Sequence, residues 1–318
     1  MPALLEQLKR FTTIVADGGD IAAIARDRPR DATTDVSQIL RAARMPRYAP
    51  LARAAAPRAR SEPADRLLDR VLVAFGVEIL KRIDGRVSTD VDARLSFDTR
   101  ATIERARRLI ALYESHDVAR DRVLVKVVAT WEGIRAAELL EREDIRCDLT
   151  LVFSTVQAQA AADSGVTRIS AFVGRVRERH AGAGARADEA AGADDPGVRS
   201  VRAIYALLKG GGYPTEIMGA NLRTMDQIVA LAGCDSLAIG PELLERLAAT
   251  EGRLERAIVP PVPSARRTPF AEPAFRYALN DEATATEALA EGIRILAADA
   301  AELQRLVAER AAEPAAQC

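Results

Sequence analysis

The feature that most constrains this chain is an alternation. Short apolar or β-branched runs recur between longer stretches with helical spacing, and they do so eight times. The strand-like runs are Thr12 to Asp17, Asp31 to Thr34, Val87 to Asp92, Val123 to Val128, Cys147 to Phe153, Arg168 to Val173, Thr215 to Ala220 and Ser236 to Ile239. Between most of them lie segments such as "ADRLLDRVLVAFGVEILKRI", "RATIERARRLIALYESH", "WEGIRAAELLERED" and "VRSVRAIYALLKGG". Strands alternating with helices predict parallel βα units. Eight such units close an α/β (β/α)8 (TIM) barrel, for which about 250 residues suffice. The chain has 318, so residues 1–318 read as one barrel domain with an additional N-terminal helix and a long C-terminal helix from about Glu282 to Glu309. The competing fold, a doubly wound open sheet, is weakened because no GxGxxG follows the first strand. "RHAGAGARADEAAGADDPG" (Arg179 to Gly197) and the Pro-rich "VPPVPSARRTP" (Val259 to Pro269) read as loops.

Composition removes several classes of function. A net charge of −1 gives no basic surface for nucleic acid or membrane lipid. No run approaches the roughly 20 apolar residues of a bilayer span, and "MPALLEQLKRF" lacks the continuous apolar stretch of a signal peptide. The three cysteines, Cys147, Cys234 and Cys318, form no CxxC pair and are odd in number, which argues against a disulfide framework and fits a reducing cytoplasm. The two histidines, His116 and His180, sit in polar surroundings and support neither a metal site nor a triad.

One residue stands out. Lys126 lies inside "VLVKVV", an otherwise apolar strand, in a chain whose 45 Lys and Arg residues include only four Lys. Burying an unpaired ammonium is costly. Two readings remain: a desolvated amine that attacks a carbonyl, which an arginine cannot do, or a buried Lys–Asp ion pair. Polar residues also recur where a barrel would place its strand ends: Asp17, Thr33 to Asp35, Asp90, Asp92, Arg94, Asp148, Thr150, Ser170, Arg175, Asn221 and Arg223. Each has a bland reading as a cap, turn or ion pair; Thr130, for example, suits the cap of a helix starting at Trp131. Together they occupy the barrel face that carries catalysis.

The segments "TTIVADGGD", "DATTDVSQIL", "GRVSTDVDARLSFDT", "RVLVKVVATWEGIRAAELLE", "CDLTLVFSTVQAQAAADSGVTRISAFVGRV" and "GYPTEIMGANLRTMDQIVALAGCDSLAIGPELL" occur in this order. In them the chain resembles the transaldolases, the Schiff-base enzymes of the pentose phosphate pathway, over nearly its whole length. The resemblance implies a (β/α)8 barrel. It implies transfer of a dihydroxyacetone unit from a ketose phosphate to an aldose phosphate, with no metal or organic cofactor. It also implies sugar phosphates as binding partners and, by analogy, a homodimer. By the same resemblance Lys126 is the imine-forming lysine. Asp17 is the acid/base beside the bond being cleaved, Asp90 manages the water of imine formation, and Thr150 helps hold that water. Ser170 and Phe172 belong to the donor pocket; related fructose-6-phosphate aldolases tend to carry Tyr at the position of Phe172. Arg175 and Arg223 match phosphate-binding arginines, whose fork suits a phosphate.

The chain departs from the family pattern at several of these positions. Asp35 stands where an Asn is usual, and Val36 replaces the Pro after it. Asp148 replaces another Asn, Asp90 a Glu, Ala171 a Pro and Asn221 a Ser. The family's two Asn residues bond sugar hydroxyls, so Asp35, Asp148 and Asn221 are expected at the substrate. Asp for Asn removes two N–H donors, and Asp for Glu withdraws the carboxylate by about 1.5 Å, one C–C bond. Four carboxyls near one amine cannot all ionise, so Asp148 or Asp35 is expected to hold a proton. The departures suggest altered donor or acceptor specificity in a specialised sugar pathway. The alternatives are an ordinary pentose phosphate transaldolase and a catalytically impaired sugar-phosphate-binding barrel.

Overall fold

The structure, a computed structural model, describes residues 2–54, 63–182 and 191–312. Eight parallel strands close into a barrel: β1 (Thr13–Asp17), β2 (Asp31–Thr33), β3 (Val87–Asp90), β4 (Val123–Val128), β5 (Cys147–Val152), β6 (Arg168–Phe172), β7 (Glu216–Ala220) and β8 (Ser236–Ile239), with β8 pairing β1. Every residue of β4 and of β5 is buried. Strands covered on the outside by helices and filled on the inside read as continuous Val, Leu and Ile runs rather than as alternation. That is why "VLVKVV" makes its lysine conspicuous.

Strand ends fall one or two residues inside the expected spans. Thr34 follows β2, and β3 stops at Asp90 because Asp92 turns to cap a short 3-10 segment, accepting from the Arg94 N–H at 3.0 Å. The helix after β4 runs Trp131–Glu141, and Thr130 caps it through the Gly133 N–H. Such a cap is worth about 1 kcal/mol. The C-terminal helix is Ala283–Ala312 and the N-terminal one Leu4–Leu8. The expected loop from Arg179 is only partly a loop. Helix Gly174–Gly182 enters it and helix Pro196–Gly210 leaves it, while 183–190 lie outside the described residues, as does Cys318. The segment Val259 to Pro269 has no regular secondary structure.

Two features of the barrel position the site. The register sets Asp90 beside Lys126 and Lys126 beside Asp148 on β3, β4 and β5. The β5–β6 ladder also slips between Leu149 and Val152, where Leu151 adopts φ +57°. A left-handed leucine costs about 1–3 kcal/mol. Bulges of this kind re-aim neighbouring side chains. The Leu151 side chain reaches the C-terminal helix at Gly292, where a Cβ would come within 2.8 Å of it. The helix that crosses the barrel mouth therefore needs no side chain there.

Candidate active site

A cavity of about 510 Å³ opens at the C-terminal ends of the strands. Nine of the residues expected from sequence line it: Asp17, Asp35, Lys126, Thr150 and Ser170 toward the barrel axis, and Phe172, Arg175, Asn221 and Arg223 on one side. Asp90 and Asp148 do not reach it. Both lie in the wall flanking Lys126.

Lys126 is 7 % exposed. Its Nζ donates to the Thr34 carbonyl at 2.7 Å and lies 3.1 Å from Asp90 Oδ1. Both sequence readings of this lysine therefore meet in one geometry, since an amine facing the cavity is also half of a buried ion pair. Burial opposes its charge, but Asp90, Asp35 and Asp148 outweigh burial and raise Nζ above the ordinary lysine range. The barrel register sets Asp90 and Asp148 on either side of Lys126, and this placement is what keeps the amine charged.

Asp90 answers how a shortened carboxylate still reaches. Its Oδ2 accepts the Val36 N–H at 3.0 Å, a donor that a proline at that position could not supply. Its Oδ1, although close to Nζ, makes no hydrogen bond of good geometry among the described residues. Burial pushes the Asp90 carboxyl up to about 6, against the pull of Lys126 and with a further push from Asp35. Asp17 is also raised, first by burial of its carboxyl and then by the charge of Asp35, while a hydrogen bond from Gln38 pulls it back. Proton affinity at the site is thus raised at Asp90 and at Asp17.

Asp148 is fully buried and accepts from Ser170 Oγ at 2.7 Å and from Ser88 Oγ at 3.2 Å. Its two oxygens are occupied by protein hydroxyls rather than offered to the cavity. Asp35 is the N-cap of helix Val36–Arg44, accepting from the Gln38 N–H at 2.7 Å. Asn and Asp cap equally well, so this helix tolerates either. Arg175 forms no ion pair among the described residues and lies 6.0 Å over the Phe172 ring. Arg223 is more exposed and sits 3.3 Å from Glu178. Asn221 has φ +59°, a conformation that asparagine accepts more readily than most residues. The buried oxygens Asn221 Oδ1 and Thr33 Oγ1 have no hydrogen-bond partner among the described residues, and both residues line the cavity. Unpaired buried polar atoms at a cavity wall mark places where a polar ligand offsets a desolvation cost.

Sequence reasoning missed several contributors. Below the site, Arg168 is fully buried and bonds Asp31 at 2.7 Å and Glu216 at 3.0 Å, forming a polar floor; no local pattern announces such a long-range cluster. Ile295 and Asp299 reach the cavity from the C-terminal helix. Gln38 was detectable, since Asp35-Val-Ser-Gln38 has the spacing of a capping box.

A barrel with a buried lysine inside β4, carboxyls beside it and arginines at the rim is an arrangement suited to carbonyl chemistry. The comparisons agree. A family profile described as Transaldolase/Fructose-6-phosphate aldolase matches residues 14–307, and the chain belongs to that family. A protein named transaldolase from Methylibium petroleiphilum is 55 % identical over 313 residues, covering 96 % of this chain and 99 % of that one. The chain is accordingly an enzyme that transfers aldehyde or ketone residues. Two solved structures show slighter likeness. A mandelate oxidase variant with an FMN adduct has a TM-score of 0.38 and 17 % identity over 75 % of this chain and 66 % of its own. A flavocytochrome b2 variant with bound sulfite has a TM-score of 0.37 and 11 % identity over 92 % of this chain and 67 % of its own. No helix among the described residues is long and apolar enough to cross a membrane.

Proposed function

We propose that the enzyme moves a dihydroxyacetone unit from a ketose phosphate to an aldose phosphate through an imine on Lys126, with a donor or acceptor preference altered by its acidic substitutions. The observation that carries the reading is Lys126 itself: a lysine in an apolar strand, facing the cavity, with a carboxylate 3.1 Å from Nζ.

The ammonium must lose a proton before it can attack. Asp90 is the adjacent base, and its raised proton affinity narrows the gap that this transfer crosses. The free amine adds to the ketose carbonyl carbon, and loss of water leaves the iminium. Asp17 then takes the proton of the hydroxyl next to the C–C bond. That bond breaks, the aldose phosphate departs as an aldehyde, and the bonding electron pair passes into the iminium as an enamine. Return of these steps with a second aldose phosphate builds the new ketose, and water releases it from Lys126. Thr150 holds the water and Ser170 meets the donor in this reading, which their positions in the cavity lining support. In the same reading Arg175 and Arg223 hold the phosphate, with Arg175 the more available because it forms no ion pair among the described residues whereas Arg223 sits by Glu178. The free Asn221 and Thr33 oxygens suit substrate hydroxyls. The acidic groups Asp35, Glu242 and Asp299 on the cavity wall support a preference different from that of the usual Asn-lined pocket.

Borohydride reduction in the presence of fructose 6-phosphate tests the reading. A covalent adduct on the Lys126 peptide is expected. Absence of an adduct with any ketose phosphate would leave a sugar-phosphate-binding barrel. If the adduct forms, turnover with erythrose 4-phosphate and glyceraldehyde 3-phosphate at ordinary transaldolase rates removes the altered preference and leaves the ordinary enzyme.

A further inference from the structure

The turn that opens helix Val36–Arg44 touches each ionisable group at the centre of the site. The Thr34 carbonyl accepts from Lys126, the Val36 N–H donates to Asp90, and Asp35 caps the helix. Two residues beyond Val36, Gln38 Nε2 donates to Asp17 Oδ1. The orientation of this amide is determined. Its Oε1 accepts the Asp35 N–H at 3.0 Å, and the oxygen is the only part of an amide that accepts. Nε2 must then be the end that meets Asp17. The backbone of Gln38 is held too, because its N–H donates to Asp35 Oδ1 at 2.7 Å. Such reciprocal bonds form a capping box, a device that ordinarily stabilises a helix start. Here a third bond leaves the helix and ends on the carboxylate at the tip of β1. Asp17 Oδ2 has no hydrogen bond of its own among the described residues, and Asp17 lines the cavity.

We propose that Gln38 is a positioning residue for the reaction: it anchors Asp17 Oδ1, so that Oδ2 is the oxygen that exchanges a proton with the substrate hydroxyl. The inference rests on the acid/base role given to Asp17 above. An N–H donor stabilises the ionised carboxylate and offsets part of what burial and Asp35 do to it. Gln38→Leu removes both the donor and the capping oxygen. Gln38→Glu keeps an oxygen for the Asp35 N–H but faces Asp17 with a second carboxyl, which can donate only when protonated.

Steady-state kinetics of the wild type and both variants between about pH 5 and 9, with fructose 6-phosphate as donor and erythrose 4-phosphate as acceptor, decide the matter alongside thermal melts. Hydrogen bonds to charged groups are worth enough to move a titration by about one pH unit. Gln38→Leu should lower kcat by about tenfold, leave KM for the ketose within about twofold, and shift the acid limb of kcat upward by about one unit. Gln38→Glu should be impaired at neutral pH and recover toward acid. A Gln38→Leu enzyme with wild-type kcat and an unmoved acid limb, even with a lowered Tm, makes Gln38 a helix cap and nothing more. A Gln38→Glu profile parallel to the wild type overturns the proposal equally, and decides alone if the leucine variant does not fold. If the wild type neither turns over a ketose phosphate nor gives an adduct, the functional reading fails and takes this one with it. A working wild type with indifferent variants removes the positioning role alone.

Discussion

Replacing Asp90 by asparagine isolates the force that keeps the lysine charged. Asn has the shape of Asp, so it preserves an acceptor for the Val36 N–H now held by Oδ2 at 3.0 Å, but it carries no charge. Two unit charges 3.1 Å apart interact by about 5 kcal/mol at the effective dielectric of about 20 that suits protein sites. That energy corresponds to about four pH units in the titration of an amine. The charges of Asp35 and Asp148 remain and still favour the ammonium, while the new NH2 group, with the amide oxygen turned to Val36, meets Nζ as a donor and accepts nothing from it. We therefore expect Nζ to titrate about two to four pH units lower in Asp90→Asn than in the wild type. Competitive labelling with a small amine-reactive reagent measures this directly: the pH dependence of modification of the Lys126 peptide reports the free-base fraction, and exposed Lys81 serves as an internal standard. Turnover should nevertheless fall by about a hundredfold, because the base that receives the proton is gone. A Lys126 labelling curve that coincides with the wild type would show that Asp90 does not hold the charge, and the proton-transfer argument would fall with it.

Asp90 also sets a pH dependence. Its carboxyl, at about 6, must be ionised to accept the proton, so kcat/KM should decline as pH falls through about 6, a limb that Asp90→Asn lacks. In stability the sign is opposite: the folded state binds this proton more tightly than the unfolded chain, so the contribution is full below the ordinary aspartate value and is lost as pH rises through about 6. The gain in Tm between pH 7 and 5 should be smaller in the variant. Asp148→Asn removes a charge that favours the ammonium, and Ser88 and Ser170 can rotate their hydroxyls to suit an amide. Turnover of standard sugar phosphates should rise; an equal or lower rate contradicts this. Gly133→Ala would place a Cβ 2.0 Å from the Val128 carbonyl oxygen, forcing the helix Trp131–Glu141 away from β4. A loss of about 3 kcal/mol, the upper range for overpacking, is expected in urea melts, and a loss within 0.5 kcal/mol would mean that the helix shifts at little cost.

Much of this protein is legible in local order. A strand covered on both faces must be apolar along its length, so the eight runs, the barrel and the anomaly of Lys126 follow from sequence. Helix caps follow too, because Thr130 and Asp35 act on N–H groups within three residues of themselves. The strand order also determines that nine of the eleven expected site residues share one cavity, because parallel strands carry their following loops to the same end.

What the chain order leaves open is decided by register and packing. That Lys126 stands between Asp90 and Asp148 depends on how β3, β4 and β5 slide past one another, and a one-residue slip would turn those side chains to the other face. The protonation balance follows from that placement: the same lysine would lose charge in an apolar pocket and keeps it among three carboxylates. Asp148 is a carboxylate that two serines occupy, and Asp90 reaches Lys126 because an N–H at Val36 braces it. These are contacts between residues 22 to 60 positions apart. A sequence supplies the groups for such contacts, but only the closed barrel brings them within hydrogen-bonding distance, where Coulomb and desolvation energies decide which of them carries the proton.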